Sequence, residues 1–260
     1  LMALLNYANA NTYALFRKFV NEITEVQYKR LTWTDEETDP HLDRLLKPRI
    51  ISLSCEQGIG DCRQQARTLF LQWLEGTYVI PTSLRVIIYK WGVAQSNDTI
   101  WDTVWQRYRD ETDASEKIQL LQALSFTKDP WIISKLLHMA RNETLVRRQD
   151  YFNLLRYIAY NPNGNPVLWN YYRNEWTYLL ERFGANDRQF GRIIKAITEN
   201  YSEGIQLQEM MTLFEKYPNA GAGTRARESA VENVQNNIQW VTRSLPSINV
   251  WLQSHYNSKL

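Results

Sequence analysis

Apolar residues recur along most of the chain at the three- and four-residue spacing of an amphipathic helix. The longest stripe joins Leu168, Tyr172, Trp176, Leu179 and Phe183. Further stripes are formed by Phe16, Phe19, Val20 and Ile23, by Phe190, Ile194, Ile197 and Tyr201, and by Val231, Val234, Ile238 and Val241. Each stripe is typical of one helix, and the alternating segment at residues 77–80 is too short to predict a strand. The pattern therefore predicts an all-α protein.

Short polar breaks with helix-capping chemistry separate the stripes and recur at a nearly regular interval. The predicted helix starts are 34, 31, 40 and 38 residues apart, near Pro81, Ser115, Val146, Asn186 and Thr224. Each interval holds about two helices, which is typical of α-solenoids built from stacked helix pairs. We therefore expect about a dozen helices in one curved α-solenoid of antiparallel pairs. It would form a single domain over residues 1–260, with a soft boundary near residues 75–81.

The composition excludes several classes of protein. Of the 260 residues, 44% are hydrophobic and 13% are aromatic, and the formal net charge is only +2. A chain this apolar is expected to fold rather than to be disordered. So small a net charge gives no strong field for nucleic acid, so we expect no nucleic-acid partner. Gly and Pro number only 10 and 8, which is too few for the many turns of a β-sandwich or propeller.

The beginning of the chain suggests a piece of a longer protein. It starts with Leu1 and Met2 rather than an initiator methionine, and no charged segment followed by an apolar run marks a signal peptide. No stretch reaches the roughly 18 uninterrupted apolar residues of a membrane span. We therefore expect an excised or processed segment without a membrane span, whose targeting signal or anchor lies outside it.

Two cysteines, Cys55 and Cys62, flank a break that contains glycine. A continuous helix would separate their Cα atoms by about 10 Å, whereas a disulfide needs less than about 7 Å. Gly58 and Gly60 can supply a tight turn, with Asp61 as the N-cap of the next helix. The pair is then either a disulfide that closes a corner between two helices, which favours an extracellular compartment, or two buried free thiols of a cytosolic protein.

Three Asn-x-Ser/Thr sequons begin at Asn97, Asn142 and Asn200. Because asparagine is common in this chain, some such triplets arise by chance, and alone they are weak evidence. Asn97 and Asn142 fall between predicted helices, where a glycan is tolerated. The three asparagines are candidate N-glycosylation sites, and they agree with the extracellular interpretation of the cysteines.

No motif for catalysis or metal binding is present. The chain has three histidines, far apart in sequence, at His41, His138 and His255. Neither a His-Glu-x-x-His sequence nor a zinc-type cysteine pair occurs. The residues alone therefore indicate a non-catalytic helical module that holds no metal and no cofactor.

Two local clusters could carry chemistry but have simpler interpretations. Acidic residues cluster between Asp35 and Asp43; paired carboxylates can serve in acid–base catalysis, although a solvated loop explains them as well. A glycine-rich run at residues 219–224 leads into a predicted helix and could bind an anion there. We interpret it instead as a tight turn between helices, with Thr224 as the cap.

Several motifs follow one another in an order that is typical of one protein family. They are Lys128 to Trp131, Arg148 to Asp150, Tyr157 to Gly164, Trp169 with Asn170, Asn174 to Trp176, Ala222 to Glu228 and Asn236 to Trp240, together with the cysteine pair. In this order they resemble the C-terminal helical domain of the zinc aminopeptidases, the family that includes aminopeptidase N and glutamyl aminopeptidase. The resemblance covers essentially the whole chain.

The resemblance implies both a fold and a role. In this family the domain is a curved solenoid of HEAT/armadillo-like helix pairs that caps the catalytic cleft, lines a peptide cavity, assists folding and often supports dimerisation. The zinc site belongs to an upstream catalytic domain, so this chain alone is expected to have no cofactor and no peptidase activity.

The same resemblance implies partners and a location. The expected partners are the catalytic domain, peptide substrates and a second copy in a homodimer. The expected location is extracellular or luminal, with a membrane-anchored cell-surface parent. Two alternatives remain: an independent α-solenoid scaffold that binds a protein partner, and an excised receptor domain for a pathogen protein.

One substrate-binding residue is implied by the resemblance. The segment from Asn186 to Arg192 resembles a segment of glutamyl aminopeptidase from which an arginine reaches into the substrate pocket. The matching residue is Arg188, whose guanidinium could hold an acidic side chain or a peptide terminus through a bidentate contact. The alternative is that Arg188 lies in the first turn of a helix and makes only local hydrogen bonds.

Overall fold

The computed structural model describes residues 2–257, apart from the side chains of Met2 and Tyr7. Within this range the chain forms fourteen α-helices and two short 3-10 turns, and no β-strand. The helices are α1 (Met2–Ala8), α2 (Ala10–Arg30), α3 (His41–Gln57), α4 (Cys62–Leu74), α5 (Arg85–Val93), α6 (Asp98–Asp110), α7 (Ala114–Leu124), α8 (Pro130–Met139), α9 (Arg148–Tyr160), α10 (Asn165–Asn174), α11 (Trp176–Phe183), α12 (Gln189–Thr198), α13 (Gly204–Lys216) and α14 (Thr224–Asn257). The all-α prediction is confirmed.

The helices group into two compact units. A central unit contains residues 20–167, and a terminal unit contains the described residues up to Phe19 and from Leu168 onwards. The prediction of a single domain over the whole chain, with a soft boundary near residues 75–81, stays a prediction. The segment 75–81 itself lies inside the central unit.

In the central unit, α5 packs against α3, α4 and α7, and α7 also contacts α6 and α9. A glycine permits the close approach of α4 and α5. A Cβ atom on Gly92 would lie 2.1 Å from Cγ of Phe70, which is fully buried. Any larger residue at this position would have to separate the two helices, because a packed core does not tolerate such an overlap.

The cysteine pair lies at the corner between α3 and α4. Gly58 ends α3 with φ of 65° and ψ of 39°, a left-handed conformation that glycine adopts without strain. The structure joins the fully buried Cys55 and Cys62 by a disulfide, with their Cα atoms 5.0 Å apart. The turn therefore brings the cysteines within bonding range.

Asp61 occupies the predicted N-cap position of α4, but its side chain makes no capping hydrogen bond. Its Oδ1 atom instead accepts a hydrogen bond of 2.8 Å from the hydroxyl of Tyr28. The prediction of a capping side chain was therefore wrong, because a residue 33 positions earlier competes for the same carboxylate.

Side-chain caps begin several of the helices. Asp129 accepts a hydrogen bond from the amide of Trp131 at the start of α8, and Asn97 accepts one from Ile100 at the start of α6. Helix α7 begins one residue before the predicted Ser115, because Asp113 is its cap and accepts from the amide of Glu116.

The longest apolar stripe is shared by two helices rather than one. It is interrupted at Glu175, between α10 and α11. The amide of Glu175 still donates to the carbonyl of Tyr171, and the amide of Leu179 donates to the carbonyl of Glu175. Because these helical hydrogen bonds persist, the apolar face continues across the break.

In the terminal unit, α1, α12 and α13 pack against the long helix α14. The first turns of α2 lie against the same helix. Thr12 donates a hydrogen bond of 3.0 Å to the amide oxygen of Asn249, and the rings of Phe19 and Trp251 meet edge to face at 5.2 Å. Segments from opposite ends of the sequence therefore pack together within the terminal unit.

Candidate functional site

Arg188 lies at the N-terminal end of α12 in the terminal unit. It occupies the N-cap position, with φ of −63° and ψ of −15°, and its side chain is exposed. The opposite face of α12 is buried through Phe190, Ile193, Ile194 and Ile197. Burial of this apolar face fixes the helix, so the guanidinium extends into solvent from a rigid element.

The local hydrogen bonds at this helix start are made by Asp187 rather than by Arg188. The Oδ1 atom of Asp187 accepts a hydrogen bond of 2.8 Å from the amide of Gln189. The backbone carbonyl of Asp187 accepts one of 3.2 Å from the amide of Phe190. Within the described residues, the side chain of Arg188 has no hydrogen bond and no ion pair. Its guanidinium is therefore available for an external carboxylate.

Glycines allow the loop that precedes α12, residues 184–188, to lie close to the start of α14. Gly221 has φ of +51°, and a Cβ atom there would lie 2.1 Å from the carbonyl oxygen of Ala185. That oxygen accepts a hydrogen bond of 3.0 Å from the amide of Ala222. A Cβ on Gly191 would lie 2.9 Å from Cβ of Ala226. The glycine-rich run therefore positions the loop through close backbone contact.

The same run forms the tight turn that was expected between helices. Residues Gly221–Gly223 make a 3-10 turn, and α14 begins at Thr224. Thr224 does not act as an N-cap acceptor, because its hydroxyl donates to the carbonyl of Gly221 at 2.9 Å.

An aromatic cluster that contains a buried cation packs against the buried face of α12. The ring of Trp176, only 1% exposed, lies 5.3 Å from that of Phe190. The guanidinium carbon of Arg227 lies 4.6 Å from the ring centres of both Trp176 and Phe214. Arg227 donates to the carbonyl of Tyr217, and its burial lowers the pKa of the guanidinium. The cation is therefore held mainly by aromatic faces.

The acidic cluster near residue 40 is engaged in ion pairs. Asp39 contacts the buried ammonium of Lys47 at 2.8 Å, and Asp43 accepts two hydrogen bonds from Arg30 at 2.6 and 2.7 Å. Hydrogen bonds from Lys47 and Arg30 lower the pKa values of these two carboxyl groups. Asp35 behaves similarly, since a hydrogen bond from Ser83 is the main cause of its lowered pKa. The three carboxylates are ionised at neutral pH and are suited to structural pairing.

The described residues contain no group of three or more His, Cys, Asp or Glu that could hold a metal ion. In the same part of the chain, no helix is both long enough and apolar enough to cross a membrane.

The three sequon asparagines lie at turns or helix starts. Asn97 and Asn142 are exposed, and Asn200 is half-buried after the end of α12. The Oδ1 atom of Asn142 accepts hydrogen bonds from both the amide and the hydroxyl of Thr144, at 2.9 and 2.8 Å. Glycosylation at the three positions stays a prediction.

Comparison with known proteins decides the family. The family model described as "ERAP1-like C-terminal domain" matches residues 2–236, which is most of the chain. The chain belongs to the ERAP1-like C-terminal domain family. The predicted membership of the aminopeptidase N group, as a C-terminal domain, is thereby confirmed.

Full-length relatives agree with this assignment. Glutamyl aminopeptidase of Rattus norvegicus is 36% identical over 249 residues, which cover 95% of this chain and 25% of the relative. The human enzyme of the same name is 35% identical over 222 residues, covering 85% and 23%. Aminopeptidase N of Oryctolagus cuniculus is 29% identical over 254 residues, covering 96% and 26%. This ERAP1-like C-terminal domain thus spans about a quarter of the length of the curated relatives it matches.

Two cations beside Arg188 were not singled out from the sequence. Arg192 and Lys195 lie on α12 and are exposed. Their positions follow Arg188 by four and seven residues, which places all three on one helix face. The apolar stripe of Phe190, Ile194 and Ile197 already implied an opposite polar face, so the charge pattern on that face was a usable signal.

Proposed function

We propose that this chain is the non-catalytic C-terminal domain of a zinc aminopeptidase ectodomain. It caps the catalytic cleft, lines the peptide cavity as a curved α-solenoid, and contributes to folding and dimerisation of the parent. Zinc and the hydrolytic chemistry belong to the catalytic domain, which is its main partner. The parent is a membrane-anchored protein that faces an extracellular or luminal compartment, in agreement with the disulfide at Cys55 and Cys62.

The observation that carries the proposal is the alignment of nearly the whole chain with about a quarter of several glutamyl aminopeptidases. A domain that lines a substrate cavity would act by binding the peptide and by excluding water from it.

The exposed guanidinium of Arg188 is the group that would recognise an acidic N-terminal residue. A guanidinium remains charged at physiological pH and donates two parallel hydrogen bonds to a carboxylate. It has no partner among the residues that the structure describes, which leaves this geometry open. An acidic side chain would therefore be preferred to its neutral amide, which cannot form an ion pair.

Calorimetric titration of the chain with amide-capped peptides tests this role. A peptide with Glu at its first position should bind about fivefold more tightly than the matching Gln peptide, the upper range for an exposed ion pair. The variant Arg188→Gln should bind both peptides equally, whereas Arg243→Gln, which removes an exposed charge on α14, should keep the preference. Equal affinities in the unmodified chain would contradict the assignment of Arg188.

A further inference from the structure

The exposed face of α12 carries a stripe of three cations. Arg188, Arg192 and Lys195 are all exposed, and their spacing of four and then three residues places them on one side of the helix. None of the three forms a hydrogen bond or an ion pair within the described residues. Within the described residues, therefore, no ion pair neutralises the three side chains of this cationic stripe.

The spacing of the stripe matches that of an extended peptide. With a rise of 1.5 Å per residue, Arg192 lies about 6 Å and Lys195 about 10.5 Å along the axis from Arg188. In an extended chain, residues two positions apart point to the same side and are separated by about 6.8 Å. A peptide aligned with α12, with its first side chain at Arg188, would therefore bring its third side chain to Arg192.

We propose that Arg192 is a second specificity-determining residue, which binds a carboxylate at the third position of the peptide whose first acidic side chain is bound by Arg188. This inference rests on the proposed function, because Arg188 fixes where the peptide begins. The ligand class is a peptide with acidic residues at positions one and three. Lys195, further along the stripe, extends the positive potential over the fourth residue of the peptide.

The surroundings of Arg192 support a rigid binding surface. Gly191, directly before it, lies so close to Ala226 that an added Cβ would approach that methyl group to 2.9 Å. Ile193 and Ile194, directly after it, are buried. Helix α12 is therefore fixed on both sides of Arg192, and only the long side chain has to reorient when a carboxylate binds.

The stripe ends at an acidic residue. Glu199 is exposed at the C-terminal end of α12 and lies on the same helix side, eleven residues after Arg188. Its carboxylate would repel a peptide carboxylate that extended so far. The charge pattern thus favours acidic residues only near the start of the peptide.

The test compares three amide-capped peptides: Glu-Ala-Glu-Ala-Ala, Glu-Ala-Gln-Ala-Ala and Gln-Ala-Gln-Ala-Ala. Calorimetric titration of the chain at low ionic strength should show about threefold tighter binding of the first peptide than of the second. Arg192→Gln should bring this third-position ratio to one, and Arg192→Lys should retain part of it. Gln and Arg have similar helix propensities, so the helix is preserved. Arg243→Gln, the matched loss of one exposed charge, should leave the ratio intact.

The titrations distinguish a failure of the proposed function from a failure of the assignment of Arg192. If the unmodified chain does not distinguish the second peptide from the third, Arg188 does not recognise the first residue and the proposed function is contradicted. If that first-position preference is present but the third-position ratio is one, or if the ratio survives in Arg192→Gln, only the assignment of Arg192 is overturned.

Discussion

Replacement of Trp176 by alanine should lower the free energy of unfolding by about 3–5 kcal/mol, which is the usual cost of removing a large buried aromatic side chain. The Trp176 ring contacts Tyr172, Phe190 and Tyr217, with ring centres 5.3–6.0 Å apart. Its removal would also take away one of the two aromatic faces that hold the buried guanidinium of Arg227. The variant should therefore lose both packing and support for a buried charge.

Urea unfolding followed by circular dichroism at 222 nm measures this effect without depending on tryptophan fluorescence. Trp131→Ala is the matched control, because the Trp131 side chain is 71% exposed and such a surface change usually alters stability by less than about 0.5 kcal/mol. If Trp176→Ala lowered the free energy of unfolding by less than about 1 kcal/mol, the aromatic cluster packed against α12 would not be a main source of the stability of the terminal unit.

The double variant Cys55→Ala/Cys62→Ala should be less stable than the unmodified chain by about 2.5 kcal/mol. The disulfide closes a loop of eight residues, and restricting a loop of this length in the unfolded chain accounts for an effect of that size. The Cα separation of 5.0 Å is within the normal range, so breaking the bond should leave the corner between α3 and α4 intact.

A comparison of urea curves with and without reductant tests the disulfide directly. Reductant should destabilise the unmodified chain by about the same amount and should have no effect on the double variant. Two alkylatable thiols in native, non-reduced material would contradict both the disulfide and the extracellular interpretation.

Local sequence signals identified much of the fold. The helix starts predicted near Ser115 and Thr224 lie within one residue of the starts of α7 and α14. At α7 the side chain of a short polar residue, Asp113, caps the next turn by itself. Gly58 marked the end of α3, because glycine adopts the positive φ of that position without strain. In these cases the physical cause lies within four residues of the signal.

Long-range contacts explain the side-chain environments that local sequence signals did not predict. Asp61 has the chemistry of a cap, yet the hydroxyl of Tyr28 takes its carboxylate. Arg227, in a charged segment, would be expected at the surface, yet the aromatic rings of Trp176 and Phe214 bury it. Neither outcome can be inferred before the tertiary neighbours are known.

The candidate site was predicted from the family resemblance rather than from local chemistry. A single arginine at a helix start carries no functional signal of its own, and the residues alone left a role in local hydrogen bonds open for Arg188. The structure assigns those local bonds to Asp187. The neighbouring Arg192 and Lys195 could have been found from the sequence, because the apolar stripe of α12 implies an opposite polar face that carries them.

We propose that this chain binds an acidic peptide but does not cleave it. Equilibrium dialysis of Glu-Ala-Glu-Ala-Ala-amide against the chain, with added zinc and with mass spectrometry of both chambers, measures binding and cleavage together. We expect an excess of intact peptide on the protein side, and this excess should fall when Arg188 is replaced by glutamine. Equal peptide concentrations in both chambers would overturn this proposal. Chelator-sensitive release of the first residue, by an activity that co-purifies with the chain, would overturn it as well.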